Sequence, residues 1–397
     1  MTQNSELDLF ACFVCQSNEF EQITLNQNLL EASDFRAESK NIGFTYVLTT
    51  CQKCGHSAIQ TDNPCLLPTR KSEFIKYGEP IEHYPRVSSI LRTLDLDFSD
   101  ISIHTFSYKD FQLANFLAKE LKISNLNLND HAGCSDDWLP VTSNDGSRLF
   151  PLRLNRFITE IENSEKSQQI ILITRIFDHV ANRDLLQKIL DLSSPTRHFV
   201  FDLNNYERLF KLDTLEFIWN ERRNLLSRSH LEVILGRLNL KYSIFAYESQ
   251  QVSPTLTGVI SERLDQSPIS ITADVIKLSA PRLLEKLKAL RQRWQDKLLT
   301  NHKLGIIGAS HKGISLAQFV LGNHTQYSLH DDKDALKGKT PPVEPPLGFH
   351  SISGFDFSDY TLITITTTLV VAKKIIPKLR ASGYIGEILD FDCRRLD

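Results

Sequence analysis

Two Cys-x-x-Cys pairs, Cys12/Cys15 and Cys51/Cys54, stand 35 residues apart near the start of a 397-residue chain. No other feature constrains the fold as much. Zinc takes four soft ligands in a tetrahedron, and two residues between cysteines let one tight turn present both sulfurs. Gly55, just after the second pair, suits the left-handed residue of such a turn. The gap is longer than in common zinc ribbons, but a strand pair could fill it, with YVLTT (46–50) leading into the second turn as a short strand. A closed four-thiolate site leaves no position for water, so the ion is expected to be structural. The alternative is two unrelated pairs of buried cysteines. His56 and Cys65 lie nearby and read as bystanders.

Paired cysteines read as metal ligands before disulfides in a reducing compartment. The N-terminus, MTQNSELDLF, lacks the basic-then-apolar order of a secretory signal, so a cytoplasmic location is expected. The longest apolar-looking stretch, TLITITTTLVVA (361–372), falls short of the roughly 18 residues of a membrane span. Forty-five basic against 48 acidic residues give −3, which argues against a strongly basic partner surface for nucleic acid or membrane. With 41% hydrophobic and 23% charged residues the chain is folded, and its length predicts two to three domains.

Beyond the cysteines, 73–89 is rich in Tyr, Pro and Glu and reads as an irregular connector. FQLANFLAKELKI (111–123) is a helix by its apolar spacing, and NLNLND (125–130) reads as a strand. QQIILITR (168–175) and HFVFDL (198–203) read as buried strands, with LLQKILDL (185–192) and HLEVILGRLNL (230–240) as helices. The alternation predicts a parallel α/β sheet. A long helix at 281–301, opened by proline, divides the chain. After it come a strand, glycine turn and helix (303–322) and strands at 327–332, 361–368 and 386–391. A helix at 373–383 lies between the last two. This is a second α/β unit.

The order of parts resembles the deoxysugar C-methyltransferases. Four segments carry the resemblance: the paired cysteine turns; RIFDHVANRDLLQKILDLSSPTRHFVFDL (175–203); FIWNERRNLLSRSHLEVILGRLNL (217–240); and GIIGASHKGISLAQFVLG with HDDKDALKGKTPPV (330–343). That family joins a four-cysteine zinc domain, a central S-adenosylmethionine-binding α/β domain and a C-terminal α/β domain. It methylates a carbon beside the ketone of a nucleotide-linked keto-deoxysugar. The implied fold class is α/β: a zinc-binding module and connector (1–85), a truncated methyltransferase-like Rossmann domain (86–255), and a Rossmann-like α/β domain (256–397).

The resemblance also places a site, and the sequence departs from it in two places. The best match to the donor loop is HAGCSDDWL (131–139), where Gly133 and Asp136 fit as cofactor-binding residues and Asp137 replaces a glycine. SNDG (143–146) is a rival match. Only 33 steps separate Asp137 from Ile170. Three crossovers at ~30 residues each, strands included, normally need about 75. A truncated donor pocket, with weak or no S-adenosylmethionine binding, is therefore expected.

The second departure is at the reaction centre. The family's Tyr-His-Glu-His run aligns with Trp219, Asn220, Glu221 and Arg222. Arg222 cannot serve as a base near neutrality. His179, Glu221 and Tyr77 are the implied catalytic residues. His179 could instead cap the turn after its strand. Arg222, Gly308 and Lys312 are the implied substrate contacts, holding an anion. Arg222 could equally sit in a solvated charged turn, and the Gly308 turn could serve side-chain packing alone.

Three functions follow as expectations. The first is a divergent methyltransferase-like protein acting on or binding a nucleotide-linked keto-deoxysugar through a degenerate donor site. The second is a homologue without methyl transfer, binding a sugar nucleotide or a protein partner. The third is a different reaction on the same ligand using His179 and Glu221.

Overall fold

The structure is a computed structural model. It describes residues 11–29, 44–61, 81–131, 149–164, 166–179, 183–212, 214–215, 224–248, 254–265, 280–298, 303–308, 311–322, 326–332, 349–352 and 355–397. The N-terminal module is an antiparallel meander of β1 (Phe20–Leu29), β2 (Phe44–Cys51) and β3 (Ser57–Thr61). Phe20 pairs with Cys51 and Thr50 with Ser57, so both cysteine turns meet at one end of the sheet.

The segment read as an irregular connector is helical at its end. Helix α1 (Tyr84–Arg92) carries proline in its first turn, where a fixed φ and a missing N–H cost nothing. Tyr84, Val87, Ser88 and Leu91 are its buried face. Next comes β4 (Ile101–Thr105), which the sequence reading missed. Ser102 and His104 interrupt its apolar pattern, yet both are buried and hydrogen-bonded. Then follow α2 (Phe111–Leu121), β5 (Asn125–Asn127), α3 (Leu149–Glu162), β6 (Gln168–Leu172), α4 (Ile176–His179), α5 (Arg183–Leu190) and β7 (Arg197–Asn204). The unit continues through α6 (Tyr206–Lys211), β8 (Asn224–Leu225), α7 (Arg228–Arg237), β9 (Tyr242–Tyr247) and β10 (Thr255–Ile260).

The central sheet runs β5-β4-β6-β7-β10-β9, six strands among the described residues. All are parallel except β10, which inserts antiparallel between β7 and β9. The opening strand is β4, not 125–130. Counted from Thr105, 63 steps lead to Gln168, with α2, β5 and α3 between them. The short count from Asp137 began one strand too late, so it gives no measure of the donor pocket. Strand β8 leaves this sheet and pairs with β3, joining the module to the central unit.

Helix α8 (Ala280–Leu298) buries Leu283, Leu287, Leu290 and Trp294 along one stripe. Fully burying such a side chain stabilises by about 1.5–3 kcal/mol. Beyond it lie β11 (Leu304–Ile307), α9 (His311–Ser315, continued by a π-helical turn Leu316–Leu321), β12 (Tyr327–His330) and β13 (Phe349–His350). Strand β14 (Leu362–Ile365), α10 (Leu369–Ala381) and β15 (Glu387–Leu389) complete the chain. The second sheet is parallel throughout, in the order β13-β12-β11-β14-β15. Leu48 and Ile59 of the module share a core with Trp294 and with Leu209 and Phe210 of α6. No helix among the described residues is long and apolar enough to cross a membrane.

Candidate functional site

The two cysteine turns close on each other. Cys12 Sγ lies 3.6 Å from Cys54 Sγ, and Cys15 Sγ lies 3.4 Å from Cys51 Sγ. All four sulfurs fall within 4.8 Å of one another. A tetrahedron with zinc–sulfur bonds of 2.3 Å has edges of about 3.8 Å, so the donor set fits zinc. Gly55 takes φ +73 as its position demands, and Gln16 adopts φ +61 in the matching place of the first turn. Contact with Cys54, and then with His56, lowers Cys12 below the usual thiol range. His56 is buried with Nδ1 3.7 Å from Cys12 Sγ, outside the four-sulfur set. Cys65 lies outside the described residues.

The cluster is braced from the central unit. His230, in the first turn of α7, donates from Nε2 to the Cys54 carbonyl at 3.0 Å and accepts Ser227 N–H at Nδ1. Burial pulls His230 down to about 4, so the ring is neutral. Arg237 donates to the Val14 carbonyl.

Ligands of open parallel sheets bind outside the carboxyl ends of the strands, where the strand order reverses. In the central sheet that place lies between β4 and β6. The loop after β4, Phe106 to Asp110, contains no glycine. Its amides are already engaged. Asp110, fully buried, accepts Phe106 and Ser107 N–H at 2.9 and 2.8 Å, and its other oxygen accepts Thr174 N–H at 2.7 Å. Tyr108 N–H donates to Asp130 and Lys109 N–H to the Ser107 hydroxyl. Burial pushes Asp110 up to about 7 despite these donors. Beside it Glu160 of α3 takes His104 at 3.2 Å, His131 at 3.0 Å and Asn129 at 2.9 Å. Partial burial pushes Glu160 up, but these three partners outweigh it and hold it at about 2.

A second polar group lies along the same edge. Asp202, near the end of β7, meets His83 Nε2 at 3.1 Å and Arg175 Nε at 3.3 Å, and all three are buried. Arg175 also approaches Asp178 at 3.6 Å and takes φ +64, a conformation that non-glycine residues adopt only under local constraint. Burial pushes Asp202 up, but Arg175 and then His83 outweigh it, and the carboxyl sits below its usual range. Asp202 falls within HFVFDL, read as a buried strand, and His83 within the stretch read as a connector, so neither stood out as a site residue.

The backbone of His179 ends α4, next to Asp178 at the carboxyl side of β6. Its side chain, and all of Tyr77, Gly133, Asp136, Glu221 and Arg222, lie outside the described residues. Gly133 and Asp136 follow β5 in the chain, not the opening strand.

In the second sheet the strand order reverses between β11 and β14, where Gly308 takes φ +90. A Cβ on Gly308 would lie 2.4 Å from Thr367 Cγ2, and one on Gly313 would lie 2.6 Å from the Gly308 carbonyl oxygen. The Thr366 hydroxyl donates to that same carbonyl at 2.6 Å. Close helix–strand packing by itself accounts for these glycines. Lys312 stands half-buried in the first turn of α9.

No protein-family model matches this sequence. No curated protein matches it either. Solved structures give distant matches. The methyltransferase domain of bacterial CtHen1 is 14% identical with a TM-score of 0.29, over 46% of this chain and 98% of that one. The small RNA methyltransferase HEN1 is 14% identical with a TM-score of 0.28, over 50% of this chain and 27% of that one. TrmK of M. capricolum, solved with S-adenosyl-homocysteine, is 9% identical with a TM-score of 0.25, over 54% of this chain and 84% of that one. Superpositions at this level carry no argument about activity. The α/β reading rests on the two sheets themselves.

Proposed function

We propose that the protein is a methyltransferase-like homologue of the sugar C-methyltransferases that binds a nucleotide-linked keto-deoxysugar through a site lacking a normal methyl-donor loop. The observation that carries this reading is the Asp110 clasp. A donor loop offers its backbone amides and close backbone approach to the cofactor. Here carboxylates of the chain itself take the amides of Phe106, Ser107 and Tyr108, and there is no glycine to let a ligand approach. A carboxylate-bearing donor would meet Asp110, Asp130 and Glu160 at the same edge. The zinc site is structural on this reading, held by Cys12, Cys15, Cys51 and Cys54.

A second reading keeps methyl transfer. It is favoured by the order of parts, a four-cysteine cluster followed by two α/β sheets, which matches the family the sequence resembles. Calorimetry with S-adenosylmethionine and S-adenosyl-homocysteine separates the two. The first reading expects no binding at millimolar ligand, and micromolar binding would favour the second. A thermal-shift panel of nucleotide-sugars tests the acceptor in both cases, since a ligand of the native state raises the melting temperature. No stabilisation by any member would remove the sugar assignment.

A further inference from the structure

We propose that the cysteine module holds one wall of the central sheet's ligand crevice in place, with Asn224 as the positioning residue that transmits the hold. The inference goes beyond the sugar assignment and applies under either reading above. Its subject is the turn after β6, which ends in α4. Helix α4 has four residues and β8 has two. Neither element is stable on its own, so each depends on what it packs against.

The support runs in a continuous line from the cysteines. Cys51 N–H donates to the His56 carbonyl at 2.8 Å and closes the second turn; β3 starts at the next residue. Its first two residues, Ser57 and Ala58, pair with Leu225 and Asn224. Strand β3 is the only sheet partner of β8 among the described residues. Asn224 is buried, and its Nδ2 donates to the Phe177 carbonyl of α4 at 3.0 Å. Side chains follow the same line. Cys12, Cys51, Leu226, Phe177 and Phe201 belong to one buried core, with the two phenylalanine rings 5.0 Å apart.

Beyond Phe177 the line reaches the ligand edge. Asp178 accepts from Asn204 Nδ2 at 3.3 Å, and Arg175 N–H donates to the Asp202 carbonyl at 2.9 Å. Thr174 N–H donates to Asp110 of the loop after β4. The turn is thus pinned by Asp110 and by Asn224 where the strand order reverses, and these bonds constrain Arg175 to its φ of +64. A small thiolate module folds only with its metal. Metal loss opens the second turn, and β8 loses its partner strand. His230 ties α7 to the same turn, but α7 has ten residues and a buried face of its own, so the effect falls on β8 and α4.

Hydrogen–deuterium exchange by mass spectrometry tests this on three full-length samples: zinc-loaded protein, chelated protein and zinc-loaded Asn224→Ala. Segments 304–307 and 362–365 of the second sheet are the internal control. Chelation should speed exchange at 174–179 by at least ~10-fold and leave the control unchanged. Asn224→Ala should keep one zinc per chain, exchange faster at 174–179 by a similar factor, and lose most of the further response to chelation. Chelation that opens 47–51 and 57–61 but not 174–179 overturns the proposal. So does an equal rise in the control, because the metal then supports the whole chain rather than this edge. A full response to chelation in Asn224→Ala also overturns it, since the hold would not pass through that side chain. Should the variant fail to retain zinc, the comparison of loaded and chelated wild type decides alone.

Discussion

Replacing Asp110 by alanine tests the clasp that closes the loop after β4. The substitution strips the acceptor from Ser107 N–H and Thr174 N–H, whereas Phe106 N–H keeps the Leu172 carbonyl at 3.1 Å. Two buried donors left bare cost about 1–3 kcal/mol each, so about 2–6 kcal/mol in all. The charge works in the other direction. Burial moves Asp110 from the usual 3.8 to about 7, which corresponds to of order 4 kcal/mol. The folded state then holds the proton more tightly than the unfolded chain does. This group's contribution is therefore most favourable below pH 4, falls as pH rises toward 7, and is flat above. Asp110→Ala lacks this dependence. Its loss of stability should be larger at pH 5 than at pH 8, where relief of the buried charge offsets the orphaned amides. Urea midpoints by far-UV circular dichroism at both pH values, for wild type and variant, read the difference directly. Titrations elsewhere cancel between the two proteins if they do not couple to the site. A variant that loses more at pH 8 than at pH 5 would refute the argument, because it would mean the three N–H donors outweigh burial.

Purified, unchelated protein should contain one zinc per chain by metal analysis. Chelation should lower the melting temperature by at least ~5 °C, because His230 and β8 tie the cysteine turns to the central unit; full metal loss without a melting shift counts against this. Glu160→Gln should flatten the acid limb of stability between about pH 4.5 and 2. Glu160 sits at about 2 when folded, so its contribution is present above the usual carboxylate range and is lost as pH falls; an unchanged acid limb in urea titrations sinks that account. Gly313→Ala should destabilise by about 1–3 kcal/mol through contact with the Gly308 carbonyl. A melting temperature equal to wild type would show that the turn has room and is not fixed by close packing.

Local signals were legible in the sequence and long-range ones were not. The cysteine turns read directly, because two-residue spacing and Gly55 are local features of the ligand geometry. β6, β7 and α8 read from apolar runs and helical periodicity. Strand β4 did not, because Ser102 and His104 look like surface residues until their partners are known. Ser164 reaches Ser102 from 62 positions away, and Glu160 reaches His104 from 56. Helix α1 was hidden by a proline that reads as a breaker but sits in the first turn, where helices accept it. The His83–Asp202 pair spans 119 positions, and no local pattern announces such a contact.

The missed strand had consequences beyond its own five residues. The loop at 131–139 was expected from its match to the family's turn. An open parallel sheet binds ligands where its strand order reverses, and with β4 as the opening strand that place selects 106–110. The two loops have opposite chemistry. The later one has Gly133, which tempts a cofactor reading; the earlier has no glycine and a buried aspartate that consumes its own amides. Each loop suggests the degenerate donor site proposed above, but for a different reason. The first inferred it from missing chain length, which the 63 steps from Thr105 to Gln168 do not support. The second rests on hydrogen bonds whose energetics the Asp110→Ala comparison measures, so the donor-site argument is now tied to a residue that can be changed.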